Sequence, residues 1–386
     1  MPFTEKKKII IIGPAYPYRG GPSTFVSYIY NALKDYFDVK IFNYKLLYPS
    51  FLFPGKTQYD QSKEKKFAVP SERLVNSMNP FNWIKVAGRL RKEKADLVIF
   101  DWWHPFFAPC HFSISLLAGS GYKGKVLFIT ENYISHEQNF VDSILTKLGL
   151  SKADNFLALS ATVEKELKVN FPDKKVYRSE LPAFDLFSEN KFPPAESRKI
   201  FGFNEKDKVL LFFGYVRKYK GLDILLEAMP AILKSVPDAK LLIAGEFYDD
   251  VNNYYKIIKK HNLSDKVILH NEFISNEEVA KFFTASDLVV LPYRSATQSA
   301  VLNVAYSFNK AAVVTNVGGL SEFVKDMETG IIVEPNSPAE ISSAVVKYFS
   351  VENRINFPAN IKLFTEKNQF SNLKEVFTKI IEAKTI

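Results

Sequence analysis

A single cysteine, Cys110, in 386 residues excludes two classes of explanation at once. An intrachain disulfide framework is impossible, and no thiolate set exists for a zinc centre. Histidine is scarce too: the five residues are scattered and none falls at metal-ligand spacing. No stretch reaches the length of a membrane-spanning helix, and the opening MPFTEKKKIIIIG runs directly into a strand. A cytoplasmic location is the expectation. The dinucleotide fingerprint GxGxxG is also missing after that strand, because the glycines there are wrongly spaced and proline interrupts them. A NAD-dependent enzyme is thereby disfavoured. No sequence repeat and no recognised nucleic-acid module is present.

What remains is ordinary in bulk and specific in detail. A chain this long exceeds what one hydrophobic core usually organises, so two domains are expected. Hydrophobic residues at 47% and charged residues at 24% suit a globular enzyme. Aromatics reach 15%, with 34 Phe and 19 Tyr, which implies extensive apolar surface. Lys and Arg exceed Asp and Glu by 51 − 42 = +9. That excess fits an anionic substrate, an acidic membrane surface or nucleic acid, and does not choose among them.

Short β-branched runs alternate with helical patterns. In the first half, residues 8–13 (KIIIIG), 39–43, 95–103 (ADLVIFDWW), 125–130 and 155–159 read as strands. Residues 22–33 and 81–91 read as helices. Continuous apolar strands between helices predict a parallel sheet covered on both faces. A proline-containing polar stretch over residues 181–194 reads as a linker. The rhythm then restarts: strands at 208–215, 240–245, 267–270 and 288–292, and a helix over 222–233. The fold class expected is α/β, two Rossmann-like doubly wound domains at 1–187 and 188–365. The tail 366–386, read as one amphipathic helix over 368–386, is expected to pack back on the first domain. Such an architecture places a ligand between the domains, at the carboxyl ends of the strands.

Three loops carry chemistry. Residues 291–322 read as strand, polar loop, helix, strand, glycine turn and helix. The helix from about Ala300 offers unpaired N–H groups and a positive dipole end to an anion, and the hydroxyls of Thr297 and Ser299 could cap it or bind a phosphate. The loop Gly214-Tyr215-Val216-Arg217-Lys218-Tyr219-Lys220-Gly221 sets cations at a strand's carboxyl end, where Arg grips phosphate bidentately and Lys adds a point charge. Gly20 and Gly21, before Pro22, open the first helix and allow close backbone approach to a ligand. Asp249 and Asp250 read as a solvated acidic turn rather than a metal pair. Residues 46–55 (LLYPSFLFPG), with the basic runs at 63–66 and 89–94, fit either an anionic membrane or greasy acceptor, or burial against their own domain.

Together these pieces resemble the retaining glycosyltransferases of family four, which have the two-Rossmann GT-B architecture. The resemblance rests on the Gly20-Gly21 loop, FFGYVRKYKGLDILLEA, LLIAGEF and KAAVVTNVGGLSEFVKDMETGIIVEP. It implies sugar transfer from a nucleotide-diphosphate sugar to a hydroxyl acceptor with retention and without metal or other cofactor, as in surface polysaccharide or glycolipid assembly. Arg217 and Lys220 take the diphosphate-binding roles, although the usual arginine position holds Tyr215. Gly245, Glu246, Thr297, Gln298, Ser299, Ala300 and Val301 take donor contacts. The family's Glu-x7-Glu pair is absent: alignment puts it at Ala296 and Val304, and no Glu occurs between Glu278 and Glu322. The loop instead resembles a subgroup with ATQSG, Ala300 replacing its glycine. The family's strand-end histidine is also displaced, since Thr130-Glu131-Asn132 stands there and the candidates are His104 and His136. An inactive sugar-nucleotide-binding or scaffolding subunit, and a sugar-nucleotide epimerase, are the alternatives. Partners expected are the nucleotide-sugar donor, a saccharide or lipid-linked acceptor and an anionic membrane surface, with no nucleic acid.

Overall fold

The computed structural model describes residues 6–53, 55–119, 124–133, 140–179, 182–189, 192–352 and 354–383. It divides into two units: unit 1 takes Met1–Asp60, Phe67–Leu181 and Gln369–Ile386, and unit 2 takes Gln61–Lys66 and Pro182–Asn368.

Unit 1 is built on seven parallel strands: β1 (Lys8–Ile12), β2 (Asp38–Leu46), β3 (Glu72–Asn76), β4 (Leu97–Trp102), β5 (Lys125–Thr130), β6 (Asn155–Ala158) and β7 (Lys175–Arg178). Their order is β3-β2-β1-β4-β5-β6-β7. The register aligns Phe42, Ile12, Phe100, Phe128 and Phe156 as one row across five strands. All five are 0% exposed, and Phe100 stacks on Phe128 at 4.8 Å. Part of the high phenylalanine content is thus core. β3 and β7 were not legible as strands because they are edges. Paired on one side only, they carry mixed polar patterns, ERLVN and KVYR.

The tail differs from its expected form. Helix Phe357–Lys367 ends at Asn368, whose φ −113°, ψ 79° is not helical, and a new helix runs only over Leu373–Glu382. That second helix buries Leu373, Phe377 and Ile380, and Phe370 just before it stacks on Tyr28 of helix Gly21–Leu33 at 4.7 Å.

Unit 2 repeats the plan with six parallel strands: β8 (Lys208–Phe213), β9 (Ala239–Ala244), β10 (Val267–His270), β11 (Leu288–Leu291), β12 (Ala312–Thr315) and β13 (Gly330–Val333). Their order is β10-β9-β8-β11-β12-β13. The helix expected after Gly318-Gly319 is a single 3-10 turn, Ser321–Phe323. In each sheet the chain reverses direction beside one strand, between β1 and β4 and between β8 and β11. Open α/β sheets leave a crevice at the carboxyl ends beside such a reversal.

The apolar loop 46–55 divides between its two readings. Leu47 is buried at 5% exposure, whereas Phe51 and Leu52 are 82% and 48% exposed. No helix among the described residues is long and apolar enough to cross a membrane.

Candidate functional site

The basic loop of unit 2 is held in a defined shape by neighbours far away in sequence. After β8 the chain passes Gly214 and forms a bridge at Val216, whose N–H donates to Glu246 O (2.8 Å) while Tyr248 N–H donates to Val216 O (3.0 Å). One 3-10 turn, Lys218–Lys220, then leads through Gly221 into helix Leu222–Ser235. Arg294, three residues past β11, clamps this turn. Its guanidinium donates to both Asp223 carboxylate oxygens at 2.8 Å and to Lys218 O at 2.6 Å. Sequence reasoning missed Arg294, because its partner lies 71 positions away.

Lys220 turns inward and is only 4% exposed. Its ammonium lies over the Tyr215 ring at 3.8 Å and 5.5 Å from the Tyr293 ring. A Cβ placed on Gly214 would sit 3.2 Å from Lys220 Nζ and 3.3 Å from Val301 Cγ2. Gly214 is therefore the gap in which the buried ammonium meets the first turn of helix Ala300–Ser307. Among the described residues no carboxylate pairs with Lys220. Burial pushes its pKa down to about 7, and the Arg217 charge adds to the shift. Arg217 is half-buried, its guanidinium 5.4 Å from the Tyr248 ring, which stacks on Tyr215 at 5.4 Å.

This lowered pKa has a measurable consequence. Above about pH 7 the free protein holds Lys220 largely neutral, whereas a bound diphosphate favours the charged form and raises its pKa. Binding of UDP at pH 8 is expected to take up close to one proton. Calorimetry in two buffers of different ionisation enthalpy measures that uptake, and Lys220→Met should abolish it.

The second anion-binding element is the loop before helix Ala300–Ser307. Thr297 and Ser299 are buried at 8% and 6% exposure, and Gln298 is half-buried between them. The expected hydroxyl cap does not form. Ser299 occupies the N-cap position, but its Oγ lies 3.4 Å from the Tyr293 hydroxyl instead. The N–H groups of Leu302 and Asn303 both turn to Ser299 O. Ser299 makes no cap hydrogen bond, and Ala300 and Val301 open the helix at its positive end. Gly245 and Glu246 follow β9 at the same edge: Gly245 N–H donates to His270 O (3.0 Å), and Glu246 is buried at 6% exposure. The structure thus collects Arg217, Lys220, Gly245, Glu246 and residues 297–301 at the carboxyl ends of β8, β9 and β11.

In unit 1, Gly20 is the N-cap of helix Gly21–Leu33, with φ 101°, and Gly21 is its first residue. The loop leading to them is anchored by Asn43, buried within β2. Asn43 accepts from Ala15 N–H (3.1 Å) and donates to the carbonyls of Ala15 (3.1 Å) and Tyr16 (2.9 Å). His104 is exposed, and its Nδ1 accepts from Phe106 N–H at 3.1 Å, capping the turn Pro105–Phe107. His136 lies outside the described residues. Asp250 caps helix Val251–Lys260 through Asn252 N–H (3.0 Å), and Asp249 accepts from the Tyr254 hydroxyl at 3.0 Å, so this turn organises its own helix. Among the described residues no group of three His, Cys, Asp or Glu could hold a metal ion.

Comparison with known proteins agrees with this geometry. Residues 194–362 match the family model for glycosyl transferases group 1, which takes in nearly all of unit 2. An uncharacterized glycosyltransferase of Methanocaldococcus jannaschii is 31% identical over 40% of this chain, and the match spans 38% of that protein's length. YtcC of Bacillus subtilis, a glycosyltransferase by name, is 26% identical over 78% of this chain and 76% of its own. Among solved structures, Anabaena HepE in complex with UDP-glucose superposes with a TM-score of 0.73, covering 96% of this chain and 98% of that one at 15% identity. The fold is GT-B, two doubly wound parallel sheets of seven and six strands, and the match to group 1 glycosyl transferases lies within unit 2.

Proposed function

We propose that this chain transfers a sugar from a nucleotide-diphosphate sugar to a hydroxyl of a saccharide or lipid-linked acceptor, with retention of anomeric configuration. The observation that carries this reading is the buried Lys220 ammonium beside the uncapped start of helix Ala300–Ser307, with Arg217 on the same loop. A cation that no carboxylate among the described residues neutralises, next to a helix start that Ser299 does not cap, fits a diphosphate. In the reaction the bond from the anomeric carbon to the diphosphate breaks and the leaving group takes the electron pair. Lys220, Arg217 and the N–H groups of Ala300 and Val301 would stabilise that growing charge, which is the largest single service such a site can render. The acceptor oxygen would bond the anomeric carbon from the face that the diphosphate leaves, and its hydroxyl proton would pass to the departing diphosphate oxygen. No metal is required in this scheme, because protein cations supply the charge. Surface polysaccharide or glycolipid assembly on an anionic membrane is the setting we favour, supported by the +9 net charge and the exposed Phe51 and Leu52.

The discriminating experiment incubates the purified protein with UDP-, GDP- and TDP-sugars and measures released nucleotide with and without lipid-linked acceptors. Release that depends on acceptor is expected. Nucleotide binding without any sugar release would mean a binding subunit, and donor consumption without acceptor would mean an epimerase.

A further inference from the structure

Lys220 rests on an aromatic face, that of Tyr215, 3.8 Å from its ammonium. A buried ammonium needs a partner, because desolvation opposes its charge. A carboxylate would hold it but also cancel it, and would then repel a diphosphate. An aromatic face attracts the cation through its quadrupole and leaves the charge in place. Tyr215 itself is 43% exposed, so the hydrophobic core does not account for a ring at this position.

The ring is braced by its neighbours. Tyr215 stacks on Tyr248 with 9° between the ring planes, and its hydroxyl shares a 2.8 Å hydrogen bond with the Tyr219 hydroxyl. Tyr219 meets the Tyr293 ring edge-on at 6.2 Å, and its carbonyl accepts from Arg294 N–H at 2.6 Å. Each ring of the stacked pair carries one cation, Lys220 over Tyr215 and Arg217 over Tyr248. Two like charges that a diphosphate needs together are thus each set against π-electron density. Lys220 faces Tyr215 and the Arg217 charge from its own loop, Tyr293 from the loop after β11, and apolar Val301 from helix Ala300–Ser307. Burial raises the Tyr219 and Tyr293 hydroxyls, which keep their protons at neutral pH.

We propose that Tyr215 is a positioning residue of the phosphate site: its ring, braced by Tyr248 and Tyr219, holds the Lys220 ammonium in place and keeps that contact when a diphosphate binds. The proposal rests on the glycosyltransferase reading, which supplies the diphosphate. Its consequence depends on pH. Above about pH 7 Lys220 is mostly neutral in the free protein and takes up its proton on binding. The ring then adds to affinity, because it favours a form present only in the complex. Below that pH the ammonium is charged in both states, and the contribution of the ring cancels.

Fluorine drains the π-face of a ring with little change of shape, so it separates a cation contact from packing. The test uses the full chain with Tyr215→Phe, and the same chain with 4-fluoro-, 3,5-difluoro- or 3,4,5-trifluorophenylalanine at that position. NMR of lysine labelled at Cε, assigned with Lys220→Met, reads the pH at which Lys220 titrates, and calorimetry reads UDP affinity. From Tyr215→Phe to the trifluoro ring that pH should fall by about 1. UDP affinity should fall about tenfold at pH 8 and about twofold at most at pH 6. In the wild type, the ring current of Tyr215 should shift the Lys220 Cε protons upfield of those of an ordinary lysine. A ring that only packs would give one titration and one affinity across the series. That result, or an unshifted Lys220 signal in the wild type, overturns the proposal and leaves the transferase reading standing. Affinity that rises with fluorination at pH 6 would mean that UDP displaces the ring, and overturns it as well. Should Tyr215→Phe fail to fold, the wild-type signal decides. A wild type that binds none of UDP, GDP and TDP sinks the transferase reading and the positioning role with it, even where the titration still follows fluorination.

Discussion

Alanine at both Arg217 and Lys220 is expected to bring acceptor-dependent nucleotide release below detection, and Lys220→Met alone to lower kcat by roughly 10²–10³-fold, the usual cost of removing one preorganised charge-stabilising group. A structural role for Lys220 would predict a different outcome, and stability separates the two. The folded-state pKa of about 7 lies below the ordinary lysine value of 10.5, so between these values the unfolded chain binds more protons than the folded one. Lys220 accordingly makes stability rise with pH across that window and is most costly to the fold below about pH 7. Methionine of similar shape removes this cost. Lys220→Met should therefore melt at a higher temperature than the wild type at pH 6, by a margin that narrows as pH rises from about 7 toward 10.5, while losing turnover. A Lys220→Met protein that melts earlier at pH 6 yet still transfers sugar would show that the ammonium serves the fold and not the reaction.

The same residue shows what a sequence can and cannot disclose. Lys220 was legible because a cation next to a glycine at the end of an apolar strand is unusual, and the strand itself was plain from KVLLFF. Central strands bury both faces and so read as unbroken apolar runs; the edges β3 and β7 do not, and went unseen. The phosphate loop's support was also hidden. Arg294 and Asp223 look like ordinary surface charges until the fold places the β11 loop against helix Leu222–Ser235. Asn43 resembles a polar interruption of β2, and only the fold reveals it as the anchor of the turn before Gly20. Asp101 and Glu131 stand 30 residues apart, and although the strand end holding Glu131 was marked as the place of the family's histidine, register alone brings the two to one face. Ser299 misled in the opposite sense. Its type and position fit an N-cap, but its side chain makes no cap hydrogen bond and lies 3.4 Å from the Tyr293 hydroxyl. Local patterns thus disclosed the elements and the glycines between them, whereas long-range partners decided which polar groups work together.

Glycine placement gives the second large effect, and one chemical change is expected to act in opposite directions at two positions. Gly221 joins the phosphate loop to helix Leu222–Ser235 with φ 70°, and a Cβ there would run into the carbonyl oxygen of Pro292. The left-handed backbone alone costs an L-residue about 1–2 kcal/mol. The clash adds to this, because Pro292 belongs to backbone that Arg294 ties to the same turn through its N–H to Tyr219 O and its guanidinium to Lys218 O. Neither side can yield without moving Lys220. Gly221→Ala should therefore cost about 3 kcal/mol or more, which for a unit of this size lowers the melting temperature by roughly 6–12 °C. Gly88, within helix Pro80–Glu93 of unit 1, has nothing within 4 Å of an added Cβ. There the methyl group only restricts the unfolded chain and favours the helix, so Gly88→Ala should stabilise by about 0.5–1 kcal/mol. Calorimetry on both variants checks the pair. UDP affinity should fall with Gly221→Ala, whose clash displaces the ammonium, and hold with Gly88→Ala. A Gly221→Ala protein with wild-type melting and wild-type UDP affinity would mean that the turn is not the rigid mount for Lys220 that its packing indicates.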